Sequence, residues 1–209
     1  MELLDKLKWR YATKGFDKER RLGPEQVNNL LQAADLAPSS YGLQPFSLVQ
    51  IESNEVKKKL SPAAFNQPQV TAASHLFIFA VRTDLSEKDV DEFVDRIVKT
   101  RGISKDEVAD YEATMKGSIN KRTPEQRFNW AARQAYISLG ILLSAAAIQD
   151  IDACPMEGFN NKQFDEILGL KEKGFSSVAM VAAGYRSTED TYQHHKKVRK
   201  SLDEFVIKF

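Results

Sequence analysis

Cysteine is almost absent: Cys154 is the single one among 209 residues. An internal disulfide is therefore impossible, which fits a reducing compartment. With no C-x-x-C pair, thiol–disulfide exchange and zinc-ribbon chemistry are excluded too. An excess of one charge is also lacking. Thirty Lys and Arg stand against 29 Asp and Glu, a net charge of +1, without the basic surplus of a general nucleic-acid or polyanion binder. Histidine is confined to His75, His194 and His195. No H-E-x-x-H or similar spacing gathers them, so no metal site is expected. The G-x-G-x-x-G, P-loop and G-x-S-x-G patterns are missing, which removes the Rossmann fingerprint, the phosphate-cradling Walker loop and the hydrolase elbow. The most apolar stretch, 139–148, is interrupted by Ser144 and falls short of the roughly 18 residues a membrane span needs. The start, Met1-Glu2-Leu3-Leu4-Asp5-Lys6, lacks the apolar core of a secretory signal, and the cytoplasm is the default expectation.

What is present is a chain with 42% hydrophobic and 28% charged residues, the composition of a folded globular protein. The length suits one large domain with a substantial core. No linker, repeat or low-complexity tract divides it, so 1–209 is read as one domain. Leu3, Leu4, Leu7 and Tyr11 follow helical spacing and predict a first helix ending near Thr13 or Lys14. Gly23-Pro24-Glu25-Gln26 reads as a helix start with Pro at the first helical position. A loop over 39–45, a strand over 46–51, a short helix over 55–60 and a loop over 65–69 follow. The nearly all-apolar 76–81 predicts a buried strand. Val90, Phe93, Val94, Ile97 and Val98 predict a helix, and a second acidic one is expected over 105–115. The stretch 117–122 is read as polar and mobile. Thr123-Pro124-Glu125-Gln126 opens a long helix to Gln149, apolar all round after Tyr136 and so buried centrally or at a subunit interface. A short helix before Gly169 and a strand over 177–183 follow. Alternation in the tail predicts a terminal strand over 203–209. Few strands among many helices, without regular βαβ alternation, give an α+β class.

Several constellations could carry chemistry. Arg10 and Lys14 lie four apart, where one helical face or end could present both. Lys196, Lys197, Arg199 and Lys200 form a second basic group. Each reads either as solvated surface or as an arm of an anion site, since Arg and Lys grip phosphate by charge-assisted hydrogen bonds. The loop 38–46 offers small hydroxyls and free N–H groups before a strand. In 154–159 a glycine after an acid lets backbone approach a flat ligand. Cys154 has no histidine partner and reads as a buried small residue.

These islands, in this order, resemble the FMN-dependent nitroreductase family, in its oxygen-insensitive NAD(P)H nitroreductase and dihydropteridine reductase branch. The matching pieces are 10–16 (Arg-Tyr-Ala-Thr-Lys-Gly-Phe), 36–40 through Gln44-Pro45-Phe46, and Phe65-Asn66 before Ala73-Ser74-His75. Trp130-Ala131-Ala132-Arg133-Gln134, Pro155-Met156-Glu157-Gly158-Phe159, 169–175 and Lys197-Val198-Arg199 complete the set.

The resemblance implies a nitroreductase-like fold: a central, mostly antiparallel sheet flanked by helices, in an entwined homodimer whose C-terminus extends onto the partner. It implies FMN in clefts at the subunit interface and NAD(P)H as reductant. By position, Arg10, Lys197 and Arg199 would hold the FMN phosphate. Lys14 would sit by the flavin N1/O2 edge and tune its reactivity, and Asn66 would bond the pyrimidine edge. Pro155, Met156, Glu157 and Gly158 would lie against the ring, with the Glu157 and Gly158 N–H groups near N5 and O4. Pro38, Ser39, Ser40 and Gly42, with Gln134 and Ile137, would complete the pocket, the serine loop coming from the other subunit. Tyr11, Ala12 and Gln69 fall in the same pocket but depart from the family pattern. Ala12 lacks a hydroxyl, Gly42 stands where Asn is common, and Gln69 stands where Lys is common. Segment 84–122 would be a lid. Tyr41, Phe65, Tyr111, Met115 and Phe128 are candidates to touch an acceptor. The implied reaction is ping-pong: hydride passes from NAD(P)H to FMN N5, and a nitroaromatic, quinone or pterin is then reduced by two electrons. Alternatives are another flavin reaction on the same fold, a flavin-storing protein without turnover, and an interaction protein without cofactor.

Overall fold

The strand His75–Arg82 is the reason the sheet has a core on each of its faces. Residues 75–81 are all buried, so side chains pointing to opposite faces must both be covered. A computed structural model describes residues 2–209. In chain order its elements are α1 (Glu2–Trp9), α2 (Pro24–Asp35), β1 (Phe46–Ile51), α3 (Asn54–Leu60), α4 (Pro68–Ala72) and β2 (His75–Arg82). They continue as α5 (Glu87–Arg101), α6 (Ala109–Asn120), α7 (Pro124–Ile148), β3 (Asp152–Met156), α8 (Asn161–Leu168), β4 (Phe175–Gly184) and α9 (Leu202–Phe205). The sheet order is β1-β2-β4-β3, and every pair is antiparallel. This is the expected α+β class, a central antiparallel sheet flanked by helices.

Alternation along the strands sorts the cores. Phe77, Phe79 and Val81 join Val181, Ala183 and Ala153 against α2 and α7. Leu76, Ile78, Met180, Ala182, Cys154 and Met156 face the other way, against α3, α4 and α8. A third, smaller cluster, with Leu85, Val90, Val94, Ile97, Met115 and Ile119, gives α5 and α6 a core of their own, closed by Leu43 and Trp130.

The helix starts follow capping chemistry. Gly23 N–H donates to Gln26 Oε1 at 3.0 Å ahead of α2. Thr123 and Gln126 satisfy each other's backbone N–H groups at the start of α7 (3.2 and 2.9 Å). By length and composition α7 could cross a membrane, but it packs against all four strands, α1 and α2. It is not buried all round: Tyr136, Ile137, Ile141 and Ile148 are exposed.

Five expectations are corrected. The first helix ends at Trp9, not near Lys14, because residues 10–16 leave to pair as chain against the sheet: Ala12 bridges Ala153 and Phe16 bridges Arg186. Pro68 opens α4 rather than lying in a loop. Residues 117–120 belong to α6. Strand β3 went unread, its Pro155 tolerated because β3 is an edge strand. The tail is no strand within this chain: Ser201 and Glu204 cap a single turn over Leu202–Phe205, and 206–209 pair with no other strand.

Candidate active site

The segment after α1 builds one wall. Because 10–14 runs extended, alternate residues face alternate ways. Tyr11 and Thr13 turn to structural partners: Tyr11 donates to Asp190 Oδ2 at 2.8 Å, and Thr13 lies 3.4 Å from Asp152 Oδ1. Lys14 turns to the other side, its Nζ 4.0 Å from Cys154 Sγ on β3. Arg10 and Lys14 thus come together through strand-like alternation, not through the helical four-residue spacing.

Asp190 clamps this wall. Its Oδ2 also accepts from the backbone N–H of Lys14 (2.8 Å) and Gly15 (3.0 Å), and its Oδ1 accepts from Tyr192 N–H (3.1 Å). Burial raises the Asp190 pKa, but the bonds from Gly15, Lys14, Tyr11 and Tyr192 outweigh it and hold the carboxyl below its ordinary value. Behind it, Arg186 pairs with buried Asp152 at 2.7 Å and stacks on Trp9 and Tyr11. Nothing in the sequence singled out Asp190, Asp152 or Arg186, which stand in ordinary polar contexts.

Three cations converge at the end of this wall. Lys197 Nζ donates to the carbonyl of Arg10. Burial, followed by the neighbouring Arg199 charge, lowers the Arg10 pKa. Burial and then Arg10 and Arg199 lower that of Lys197. Among the described residues none of the three has a carboxylate within ion-pair distance. Such a cluster is incomplete without an anion.

The floor and far wall come from β3 and the turn before α4. Gln69 is buried, and its Oε1 has no hydrogen-bond partner in the chain. Burial pushes the Cys154 thiol up, opposed by Lys14 and by the Gln69 amide. Phe65 and Asn66 both take left-handed backbone, φ 54° and 55°, leaving both side chains exposed. Gln67 Nε2 bonds the Gly158 carbonyl at 2.6 Å, and Tyr136 donates to Glu157 Oε1 at 2.6 Å. Glu157 and Gly158 are thereby tied to both α4's approach and α7.

The remaining predicted residues gather elsewhere. Ser40 N–H donates to Gln134 Oε1 at 2.8 Å. Tyr41, at φ 61°, accepts from Tyr111 at 2.8 Å through its carbonyl, and Gly42 (φ 75°) follows it. Among the described residues no hydrogen bond or ring contact joins this group to the first. Ile137 is exposed on α7. Met115 is wholly buried in the α5–α6 core and Phe128 packs on the main core. Met115 is thus closed off in its present setting, whereas Phe128 stays half-buried. No cluster of metal-ligating side chains occurs among the described residues.

Comparison with known proteins places this geometry. The pattern of the Nitroreductase family matches residues 7–185, and the chain belongs to that family, a family of oxidoreductases. A Staphylococcus saprophyticus protein, provisionally named an NAD(P)H nitroreductase, is 32% identical over 98% of this chain and 95% of its own. An oxygen-insensitive NAD(P)H nitroreductase of Salmonella typhimurium is 28% identical, covering 97% of each. Among solved structures, one from Bacillus subtilis superposes with TM-score 0.89 at 24% identity, over 100% of this chain and 99% of the other. Another, from Exiguobacterium sibiricum and solved in complex with FMN, gives TM-score 0.84 at 21% identity, over 100% and 98%.

Proposed function

We propose that the chain is an FMN-dependent NAD(P)H oxidoreductase acting as a homodimer. In this reading one cleft serves both reactants in turn, giving ping-pong kinetics, with a nitroaromatic, quinone or pterin as the two-electron acceptor. The observation that carries the reading is the acid-free convergence of Arg10, Lys197 and Arg199 beside Lys14 and the unpartnered Gln69. The cations suit a phosphate monoester. The Gln69 acceptor, buried without a donor, suits a ligand N–H. The residues present therefore fit FMN.

Bound FMN supplies the hydride-accepting and hydride-donating chemistry. The protein binds and orients. Arg10, Lys197 and Arg199 hold the phosphate, and Asn66 and Gln69 bond the pyrimidine edge. Lys14, fixed through its own N–H on Asp190, keeps a positive charge where negative charge gathers on reduction. The exposed backbone of Glu157 and Gly158 faces the ring.

Two chains are required because Pro38, Ser39, Ser40 and Gln134 stand apart from the cation cluster within one chain. Exposed apolar side chains mark the contact surface: Leu3, Leu4 and Leu7 on α1, Ile137, Ile141 and Ile148 on α7, and Leu202, Phe205, Ile207 and Phe209 in the tail. That is more exposed apolar surface than scattered residues explain, and it suits an isologous dimer with the tail laid on the partner. Helices α5 and α6, with their separate core, serve as the lid.

The test is titration of apoprotein with FMN, followed by flavin fluorescence and analytical ultracentrifugation. Saturation at equimolar FMN in a dimer is expected, with binding weakened by Arg10→Gln and by Lys197→Gln. A monomer that retains FMN, or unaltered affinity in both variants, would contradict the reading.

A further inference from the structure

A cavity of about 1020 Å³ lies between α6 and α7 and is not part of the cation cluster described above. Its chemistry is one-sided. Lys121, Arg122 and Arg133 line it together with the rings of Tyr41 and Trp130, and no carboxylate does. In a protein with 30 basic and 29 acidic residues, a cavity with three cations and no acid is a local imbalance. None of the three has an ion-pair partner among the described residues. Arg122 is fixed: it stacks over Trp130 at 5.2 Å and its guanidinium bonds the Ser118 hydroxyl at 2.6 Å. Lys121 and Arg133 make no such bonds and are free to meet a ligand. Space is kept open by Gly117, where an added Cβ would touch nothing within 4 Å.

The cavity also adjoins the flavin loop. Tyr41, on its rim, follows Ser40, whose N–H is bonded by Gln134, and Gln134 is the neighbour of Arg133. A ligand seated against Tyr41 would therefore reach toward loop 39–42, which the flavin oxidoreductase reading assigns to the pocket.

We propose that this cavity takes the adenosine 2′-phosphate end of NADPH, so that the enzyme uses NADPH in preference to NADH. The inference rests on the flavin oxidoreductase reading. The Tyr41 ring suits a purine, and Arg and Lys suit a phosphate monoester dianion, which NADH lacks. The volume is far larger than one phosphate needs and accommodates a nucleoside as well.

The experiment compares 2′,5′-ADP with 5′-AMP by isothermal titration calorimetry on FMN-loaded protein, in which Arg10, Lys197 and Arg199 are already engaged. Binding of 2′,5′-ADP at least about tenfold tighter is expected, with the margin shrinking as salt rises. The double variant Lys121→Gln/Arg133→Gln should bring the two affinities together while FMN content and Tm stay unchanged. Gly117→Leu, which fills open space, should weaken both nucleotides. Equal affinities in the wild type, a preference that survives the double variant, or Gly117→Leu without effect would each overturn the proposal. Failure of the broader reading would look different: the protein would not retain FMN at all.

Discussion

Replacing Asp190 tests whether the site wall is held as described. Its carboxylate accepts four bonds: from the Tyr11 hydroxyl, from the N–H groups of Lys14 and Gly15, and from that of Tyr192, all between 2.8 and 3.1 Å. In Asp190→Asn one oxygen can still receive the first three, but without charge, and the amide nitrogen then faces the Tyr192 donor. Charged acceptors are roughly twice as strong as neutral ones, and an intramolecular bond to a charged group contributes about 1.5–3 kcal/mol against about 1 for a neutral one. Because bonds sharing one group are not additive, the net loss expected is about 2–3 kcal/mol. Urea denaturation at pH 7 and fixed protein concentration reads it. The pH dependence supplies a second arm. The folded-state pKa of Asp190 lies below its ordinary value of 3.8. Its contribution is therefore present above that value and lost as pH falls through the folded pKa. The gap between wild type and Asp190→Asn should accordingly narrow below about pH 4. A variant as stable as wild type at pH 7, or a gap that persists unchanged in acid, would refute the clamp. So would an unaltered rate of flavin reduction by NADPH in the FMN-loaded variant, since the clamp positions Lys14.

Other consequences are as direct. Lys14→Ala should slow flavin reduction by NADPH more than it weakens FMN retention, read by anaerobic stopped flow; unchanged reduction of the loaded variant contradicts the role given to Lys14. Lys57 is fully buried, donates to the carbonyls of Ala73 and Ser74, and has a pKa lowered from 10.5 to about 8, by burial first and then by Arg21. Its folded form binds fewer protons than the unfolded chain between those values. Stability should therefore rise with pH from about 8 to about 10.5, by at most about 3 kcal/mol, and Lys57→Met should flatten that rise in a pH series of denaturation curves. Removing residues 202–209 should shift the sedimentation equilibrium toward monomer and lower FMN occupancy with it; a truncated protein that stays dimeric shows that the tail is not at the contact.

How far the sequence can be read depends on where each backbone group finds its partner. Helix α2 and helix α7 are legible because their signals are local: Pro24 with Gln26, and Thr123 with Gln126, satisfy the helix ends within four residues. Strand β2 is legible because burial on both faces leaves an uninterrupted apolar run. The end of α1 is not, because Tyr11 continues the helical spacing while Asp190, far along the chain, and Ala153 on β3 supply the partners that draw residues 10–16 away. Strand β3 escapes notice because it is short, on an edge and carries Pro155. The tail misleads in the opposite sense. Phe205, Ile207 and Phe209 alternate like a strand, but the S-x-x-E pattern at Ser201 and Glu204 decides the local structure, and 206–209 pair with no strand of this chain.

The candidate site divides the same way. Arg10, Lys14, Lys197 and Arg199 were named from sequence, and the structure brings them together. The unsatisfied acceptor of Gln69 and the acid-free cavity between α6 and α7 emerge only in three dimensions, because both are statements about missing partners. Met115 shows the limit from the other side: a methionine in a suspected lid is as easily core, and here it is wholly buried.

The most direct measurement is the visible absorption spectrum of the purified, FMN-reconstituted protein before and after anaerobic NADPH. The account predicts a bound flavin spectrum that bleaches on adding the nucleotide and returns when a quinone or nitroaromatic is supplied. A protein that takes up no FMN, or one whose flavin stays oxidised with both NADPH and NADH, would contradict it.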